Sequence, residues 1–180
     1  PFKVSSITEV HARYFREGRI KIDKTMFTEP VTYHDPCQIA RNAGVIDEAR
    51  YILRQLTNNF REMTEDPRYN WCCGGGGGLV ALGEETLDFR MKSAKVKVDQ
   101  VKASGATILS TACENCHTQL SNLNDHYKME LQVEFLLSHD ETSGFLFVSN
   151  INGKPTEMDD NGFISKLSSK GDILELKWAE

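Results

Sequence analysis

The residues best suited to chemistry in this sequence are its five cysteines, which all lie between positions 37 and 116. They are unevenly spaced and include one adjacent pair and one Cys-x-x-Cys motif: Cys37, Cys72, Cys73, Cys113 and Cys116. An odd number of cysteines without a signal-peptide pattern argues against the disulfide framework of a secreted protein. A disulfide between adjacent cysteines would also strain the peptide that joins them. The pattern therefore favours metal or redox chemistry.

The Cys-x-x-Cys motif alone is ambiguous. Residues 113–117 read "CENCH", a pattern that anchors c-type haem, and the same two cysteines are half of many zinc and iron–sulfur sites. Haem attachment requires export, whereas this motif directly follows an apolar strand-like run, "ATILSTA", in a chain with no export signal. The residues thus disfavour haem and leave a zinc site open beside an iron–sulfur cluster.

A run of five glycines follows the adjacent cysteines, in the segment "WCCGGGGGL". Gly74, Gly75 and Gly76 have no side chains, so a bulky inorganic group could approach their backbone and accept hydrogen bonds from their N–H groups. We expect a positive φ at Gly75 or Gly76, and we therefore expect valine there to impair cofactor assembly more than the fold. A flexible linker is the alternative interpretation of such a run.

The elements that must position these residues alternate between strands and helices. Val31–His34 is predicted as a strand that stops before Cys37, and "ATILSTA" and "LQVEFLL" are predicted as two further strands. Apolar residues at helical spacing predict one helix from Asp47, placed as its cap, through Met63. A second helix is predicted from Leu87 to Gly105, and a short third helix after His117.

This alternation predicts an α/β domain with a Rossmann-like, mostly parallel sheet and flanking helices. Cys37 and Cys113 each follow the carboxyl end of a predicted strand. Open α/β sheets bind their ligands at that edge, so we expect the cysteines to converge there. Past residue 137 the pattern changes to short β-hairpins, and we expect two units, residues 1–137 and a β-rich tail of residues 138–180.

Composition excludes several classes of function. The net charge is −5 and no basic run is present, which makes nucleic acid and anionic membrane surfaces poor partners. No apolar stretch approaches the roughly 18 residues that a membrane-spanning helix needs. The sequence begins at Pro1 without an initiator methionine, so we expect it to be a piece of a longer chain.

Three motifs taken together resemble a known family. "HDPC", "CCGGGGG" and "CENC" are similar to the cysteine-rich CCG domain of the heterodisulfide reductase family, over about residues 1–137. Within that family, "VTYHDPCQIARNAGVIDEARYIL" is most similar to the cysteine-rich catalytic subunit of the membrane complex that accompanies dissimilatory sulfite reduction. The tail resembles one blade of a gluconolactonase-like β-propeller, although a propeller closes only with about four to eight blades.

The resemblance implies a noncubane [4Fe–4S] cluster held by all five thiolates, with an iron that can take a substrate sulfur. It implies an oxidoreductase module that reduces or forms a disulfide or trisulfide substrate, with electrons from a ferredoxin-type donor domain or subunit. It also implies a cytoplasmic location, bound to the cytoplasmic side of a membrane complex. The ferredoxin-type cysteine run is absent from this sequence, so the electrons must come from elsewhere.

Two other functions stay open from the sequence. One is a non-enzymatic module, either an electron relay or a docking domain stabilised by Zn²⁺. The other is the iron–sulfur subunit of an oxidase of lactate, glycolate or glycerol phosphate, in which a similar domain passes electrons to a quinone pool.

Two histidines flank the cysteines, and each has two possible roles. His34 and His117 are candidate proton donors to a leaving thiolate, because reductive disulfide cleavage consumes protons and imidazole titrates near neutrality. The alternative for each is a structural imidazole. Tyr33 and Trp71 are expected to pack beside the metal centre, and Glu114 and Asn115 to shape the Cys-x-x-Cys turn.

Overall fold

The computed structural model describes residues 4–20, 24 and 28–136, and the backbone of residues 165–167 and 173–175. In these ranges the helices and strands are α1 (Ile7–Arg16), β1 (Val31–His34), α2 (Asp47–Leu56), α3 (Leu87–Ser93), α4 (Lys95–Ser104), β2 (Ile108–Thr111), α5 (Glu114–Tyr127), β3 (Gln132–Phe135), β4 (Ser165–Leu167) and β5 (Ile173–Glu175). Three other helical segments are a π-helix (Cys37–Asn42) and two 3₁₀-helices (Pro67–Tyr69 and Val80–Thr86).

The first three strands form one parallel sheet in the order β1-β2-β3. Val31 pairs with Ile108 and Ile108 with Gln132, and the register continues to His34, Thr111 and Phe135. All three carboxyl ends therefore lie at one edge of the sheet. The predicted α/β fold with a mostly parallel sheet and flanking helices is confirmed, and so are the positions of its three strands.

Alternate residues of the strands face two separate cores. On one face, which we call the α2 face, Val31, Tyr33 and Ile108 pack with α1 and α2. On the other, which we call the α5 face, Leu109 packs with residues of α3, α4 and α5. His34 alternates with Tyr33 along β1 and so points toward the α5 face.

The helices differ from the predictions at their ends. α2 stops at Leu56 because Thr57 is extended, and Phe60 instead forms an isolated bridge with Val31. Asp47 is not the cap that the sequence predicted, since Ile46 holds that position and makes no side-chain cap. The third helix begins at Glu114 and contains His117, whereas the prediction placed it after that residue.

The helix predicted from Leu87 to Gly105 is kinked into α3 and α4 at Ala94. The Ala94 N–H still donates to the Arg90 carbonyl, so the chain bends without losing its hydrogen bond. Gly105 ends α4 as expected, in the left-handed conformation with φ of 61°. α1 was not predicted, although Ser6 and Glu9 form a capping box at its start.

The C-terminal part of the chain is described only at two short strands. β4 and β5 pair antiparallel, as predicted for a hairpin in "GFISKLSSKGDILELKW". The rest of the predicted tail, including most of its likeness to a propeller blade, lies outside the described residues, and the boundary after residue 137 stays a prediction. Within the described part of the chain, no helix combines the length and hydrophobicity needed to cross a bilayer.

Candidate metal centre

The cysteines come from three loops that meet at the carboxyl edge of the sheet. Cys37 follows β1 and opens the π-helix, a rare helix type that is often found at functional sites. Cys113 follows β2 as the N-cap residue of α5, and Cys116 lies in the first turn of that helix. Cys72 and Cys73 lie in the loop that precedes the glycines. The predicted placement of Cys37 and Cys113 after strand ends is therefore found.

Four of the five sulfur atoms form a connected row. The Sγ atoms of Cys73 and Cys116 lie 3.4 Å apart, and the Cys72 thiol contacts both Cys73 and Cys37. Cys113 packs against the same core that holds Cys73 and Cys116. All five cysteines fall within the described residues and all five are free thiols. The structure thus brings together the cysteines that the sequence predicted to share one site.

Burial divides this row into an inner and an outer part. Cys73 is 2% exposed and Cys116 is 5% exposed, and both belong to the core of the α5 face. Cys37 and Cys113 are half-buried, and Cys72 is exposed. One side of the site is therefore closed by the protein, while the other side is open to a substrate or a partner.

Three of the thiols, those of Cys37, Cys72 and Cys73, hold their protons more tightly than isolated cysteines. A hydrogen bond between the Cys73 and Cys116 thiols is the main factor that raises the pKa of Cys73, to about 12. The contact with Cys73 likewise raises the pKa of Cys72, and burial raises that of Cys37. In the metal-free chain these three thiols are protonated at neutral pH. Because a metal binds the thiolate, loading must release protons.

His34 lies beside the inner part of the row. One of its ring nitrogens and the Sγ atoms of Cys73 and Cys116 lie within 4.8 Å of one another. The residue is fully buried, and neither ring nitrogen has a hydrogen-bond partner among the described residues. Burial, together with the charge of Lys97, holds the pKa of His34 well below its ordinary value. His34 is therefore a neutral imidazole next to two thiols.

His117 has a different environment. Its ring stacks on Phe135 with 4.3 Å between centroids, and its Nε2 lies 3.2 Å from the Val133 carbonyl oxygen. Because a carbonyl can only accept, Nε2 carries the hydrogen. These contacts account for a structural role. The predicted proton-donor roles of His34 and His117 stay predictions.

The first two glycines of the run are closely packed, and the last three are not. A Cβ on Gly75 would lie 2.5 Å from Val80 Cγ2, and one on Gly74 would lie 2.9 Å from Ala94 Cβ. Gly76, Gly77 and Gly78 have no atom of the described residues within 4 Å of such a Cβ. The expectation of a positive φ at Gly75 or Gly76 is wrong, since the positive angles are at Gly74, Gly77 and Gly78.

The N–H groups at the start of the run point to sulfur. The Gly74 N–H donates to Cys72 Sγ at 3.4 Å, and that of Gly75 interacts with the Cys73 thiol and lowers its pKa. These contacts favour the thiolate forms that a metal requires. The proposed role of Gly74, Gly75 and Gly76 in cofactor binding itself stays a prediction.

A buried polar network supports the ligand loops, and the sequence analysis missed it. Asp35 makes two hydrogen bonds of 2.8 Å with Arg50, which also pairs with Glu62 at 2.9 Å. Asp35 also accepts from the Asn70 side-chain nitrogen at 2.9 Å, and Lys97 donates to the Asn70 side-chain oxygen. The network therefore joins the loop before Cys37 to the loop before Cys72.

A second contact joins the same two loops. Arg41, in the π-helix, donates to the Asn70 carbonyl at 2.7 Å.

Of the residues in this network, Lys97 could have been found from the sequence. It lies at helical spacing with Ala94, Val98 and Val101 on the apolar side of α4. A lysine at such a position is buried only with partners, here Asn70 and Met63.

The two aromatic residues near the cysteines differ from each other. Tyr33 is buried, and burial raises its pKa, followed by the charge of Asp35 and by smaller effects of the neighbouring Cys116 and Cys113. This agrees with the expected packing near the centre. Trp71 is 57% exposed, so the packing expected for its ring is not found among the described residues. Glu114 and Asn115 begin α5 and do not form a separate turn.

Comparison with known proteins gives a match to one family model and to several longer proteins. The family model is that of the cysteine-rich domain CCG, and it matches residues 31–121. A subunit of the dihydromethanophenazine:CoB--CoM heterodisulfide reductase of Methanosarcina mazei is 35% identical over 135 residues, which are 74% of this chain and 32% of that protein. No solved structure matches the chain.

Two further relatives are named for other functions. The Hdr-like menaquinol oxidoreductase iron-sulfur subunit 2 of Archaeoglobus fulgidus is 35% identical over 136 residues, 71% of this chain and 24% of that protein. The EtfAB:quinone oxidoreductase of Syntrophomonas wolfei is 29% identical over 125 residues, 67% of this chain and 17% of that protein. The chain thus spans a third or less of the length of these three relatives.

Proposed function

Because this chain belongs to the family of cysteine-rich CCG domains, we propose that it is the iron–sulfur module of an oxidoreductase of the heterodisulfide reductase type. The observation that carries this proposal is the set of five free thiols at one edge of the sheet, four of which form a connected row. Two of these thiols are sealed in a core, and the others face outward.

The donor set fits an iron–sulfur cluster better than a single metal ion. A structural zinc site uses four ligands, whereas this site offers five free thiols, four of them in a connected row. Thiolate is the usual protein ligand of iron–sulfur clusters. We propose a noncubane [4Fe–4S] cluster with Cys37, Cys72, Cys73, Cys113 and Cys116 as its ligands. When bound, it would supply one-electron redox chemistry and an iron with affinity for sulfur.

In this proposal some residues of the site hold the cluster, and others leave space for a substrate. Cys73 and Cys116 would hold its buried side, where they are closed off from solvent. The open space beside Gly76, Gly77 and Gly78 leaves room for a substrate next to the exposed Cys72. The N–H groups of Gly74 and Gly75 would stabilise the ligand sulfurs as anions.

The substrate we propose is a disulfide or trisulfide. Reduction of a disulfide breaks one S–S bond and consumes two electrons and two protons, which yields two thiols. The electrons would come from a ferredoxin-type domain or subunit, because the described residues contain only this one group of cysteines. The M. mazei relative belongs to a heterodisulfide reductase, which supports this substrate class. We propose that the module works on the cytoplasmic side of a membrane complex.

A second candidate is electron transfer to or from a quinone-linked partner, without a sulfur substrate. It is favoured by the names of the A. fulgidus and S. wolfei relatives, which are menaquinol and quinone oxidoreductases. The two candidates differ in whether a disulfide perturbs the cluster. Addition of a disulfide or trisulfide should change the EPR spectrum of the reduced chain only if the first is correct.

The test of the metal centre is anaerobic reconstitution of the chain with iron and sulfide. We expect about four iron atoms and four acid-labile sulfides per chain, and an EPR signal when the chain is oxidised or reduced by one electron. Replacement of any one cysteine by serine should lower the iron content or alter that signal. Trp71→Phe, an exposed change next to Cys72, is the matched control. One zinc per chain without acid-labile sulfide would overturn the proposal.

A further inference from the structure

The imidazole of His34 is a buried polar group with nothing in the described residues to satisfy it. Both of its ring nitrogens lack a hydrogen-bond partner there, and the side chain is fully buried. Such groups are rare in folded proteins, because an unpaired buried donor or acceptor costs about 1–3 kcal/mol. Five other buried side-chain atoms in the described part of the chain also lack a partner, so the case for His34 depends on what lies next to its free ring nitrogens.

The neighbours of His34 identify the missing partner. One of its ring nitrogens and the Sγ atoms of Cys73 and Cys116 lie within 4.8 Å of one another, and those two sulfurs are 3.4 Å apart. An ion bound at about 2.0 Å from an imidazole nitrogen and about 2.3 Å from each sulfur requires donor atoms separated by distances of this order. We infer that His34 is a nitrogen ligand of the metal centre and forms, with Cys73 and Cys116, a buried three-donor pocket.

The alternative is a structural imidazole held by the side chain of Asn70, whose interaction with His34 opposes the lowering of the pKa by burial. The amide of Asn70, which lies close to His34, already donates to Asp35 and to the Tyr33 carbonyl and accepts from Lys97. By contrast, His117 is satisfied by a carbonyl and by stacking on Phe135. His117 therefore serves as the matched control.

The chemistry of the pocket sets the class of metal. One imidazole and two thiolates suit Zn²⁺, Fe²⁺ and Co²⁺, whereas Mg²⁺ and Ca²⁺ prefer oxygen. A ring nitrogen that binds the metal cannot also give a proton to a leaving thiolate. The inference rests on the proposed metal centre, because Cys73 and Cys116 belong to both.

The first experiment detects the nitrogen directly. The chain is labelled with ¹⁵N-histidine, reconstituted anaerobically with iron and sulfide, and studied by pulsed EPR against the unlabelled chain. We expect a strong histidine nitrogen coupling that is kept in His117→Gln and lost in His34→Gln. A coupling that is weak, absent or lost only in His117→Gln overturns the inference.

The second experiment uses Co²⁺ alone with the metal-free chain, and so does not depend on cluster assembly. Its absorption bands report the ligand set and give a dissociation constant. We expect His34→Gln to weaken Co²⁺ binding at least about tenfold and His34→Cys, which supplies another ligand, to restore it. Equal affinity in the wild type and in folded His34→Gln would contradict the inference.

The two experiments separate the inference from the proposed function. If the wild-type chain forms a cluster but shows no strong nitrogen coupling, the function stands and the inference fails. If it forms no cluster but binds Co²⁺ through His34, the inference stands and the function fails. Circular dichroism shows whether His34→Gln folds, and if it does not, the labelled wild type and His117→Gln decide the outcome.

Discussion

The two faces of the sheet are built from similar helices and strands, but their cores hold different side chains. The core of the α2 face consists of apolar and aromatic residues of α1, α2 and the strands. The core of the α5 face includes two of the ligand thiols, Cys73 and Cys116. Lys97 and Gln119, also fully buried, are carried by α4 and α5.

This difference indicates which face of the chain would depend on the proposed metal centre. The α2 face is stabilised by apolar burial, which needs nothing from outside the chain. The α5 face buries the thiols of Cys73 and Cys116 and the imidazole of His34, which the proposed metal centre would bind. We therefore expect the α2 face to keep its structure without metal and the α5 face to loosen.

The largest effect should come from paired substitutions, one in each face. Cys116→Ser should remove most of the bound iron, because it deletes a buried ligand. Leu53→Ala, in the fully buried core of the α2 face, should lower the free energy of unfolding by about 2–5 kcal/mol and leave the iron content per folded chain unchanged. Metal analysis and urea unfolding measure the two outcomes. Equal iron loss in both variants would mean that the faces are not independent.

The next effect should follow removal of the metal from the wild-type chain. Hydrogen exchange of the amides in α5 should become faster, since the first turn of this helix carries Cys116. Exchange in α2 should change little, because its buried contacts are with α1 and the sheet. Mass spectrometry of the loaded and metal-free chains gives both rates. Uniform acceleration in both helices would count against the proposed difference between the faces.

A smaller effect should distinguish two adjacent glycines. A methyl group on Gly75 would lie 2.5 Å from Val80 Cγ2 and 2.9 Å from Gln119 Cβ, on the α5 face. Gly75→Ala should therefore destabilise the chain by about 1–3 kcal/mol. Gly76→Ala, with open space around its Cβ, should change stability by less than about 0.5 kcal/mol. Equal unfolding midpoints for the two variants would show that the loop does not pack as described.

The smallest effect concerns the pH dependence of the metal-free chain. Burial lowers the pKa of Lys97 from 10.5 to about 7, although the charge of Asp35 opposes the shift. Above pH 7 the unfolded chain binds this proton more strongly than the folded chain, so stability should rise with pH up to pH 9. Above pH 9 the raised pKa of Cys73 acts in the opposite direction.

The control for this pH dependence is Lys97→Met, which removes the charge and keeps an apolar chain of similar length. Its free energy of unfolding should be nearly constant between pH 7 and pH 9, when measured by chemical denaturation. A slope equal to that of the wild type would assign the pH dependence to other groups.

Much of the fold was predictable because its signals are local. The three sheet strands are short apolar runs, and Gly105 is a standard helix end. The predicted helix ends are wrong where tertiary contacts outweigh the helical spacing of apolar residues. Phe60 continues the helical pattern of α2, but its backbone pairs with Val31 instead. The kink at Ala94 has no marker in the sequence that we can identify.

The residue types of the candidate site could be predicted from the sequence, but the burial of each residue could not. The residue types and spacing of the five cysteines place them together, yet which of them are buried depends on how α5 packs on the sheet. Asp35 and Arg50 meet across fourteen intervening positions, from 36 to 49, and no local pattern indicates their pairing. His34 was selected for its acid–base chemistry, whereas its lack of partners became visible only in three dimensions.

The order of the strands also bears on how quickly the chain folds. β2 and β3 are joined through α5 by residues 112–131, whereas β1 and β2 are separated by residues 35–107. Closing the longer loop costs more entropy, and pairing of distant parallel strands is slow. The β2–α5–β3 unit, with Cys113 and Cys116, should therefore form early, and β1 should dock late and bring in His34 and Cys37. Kinetic φ-values near one for Leu120→Ala and near zero for Val31→Ala would confirm that the metal site is completed in the last step of folding.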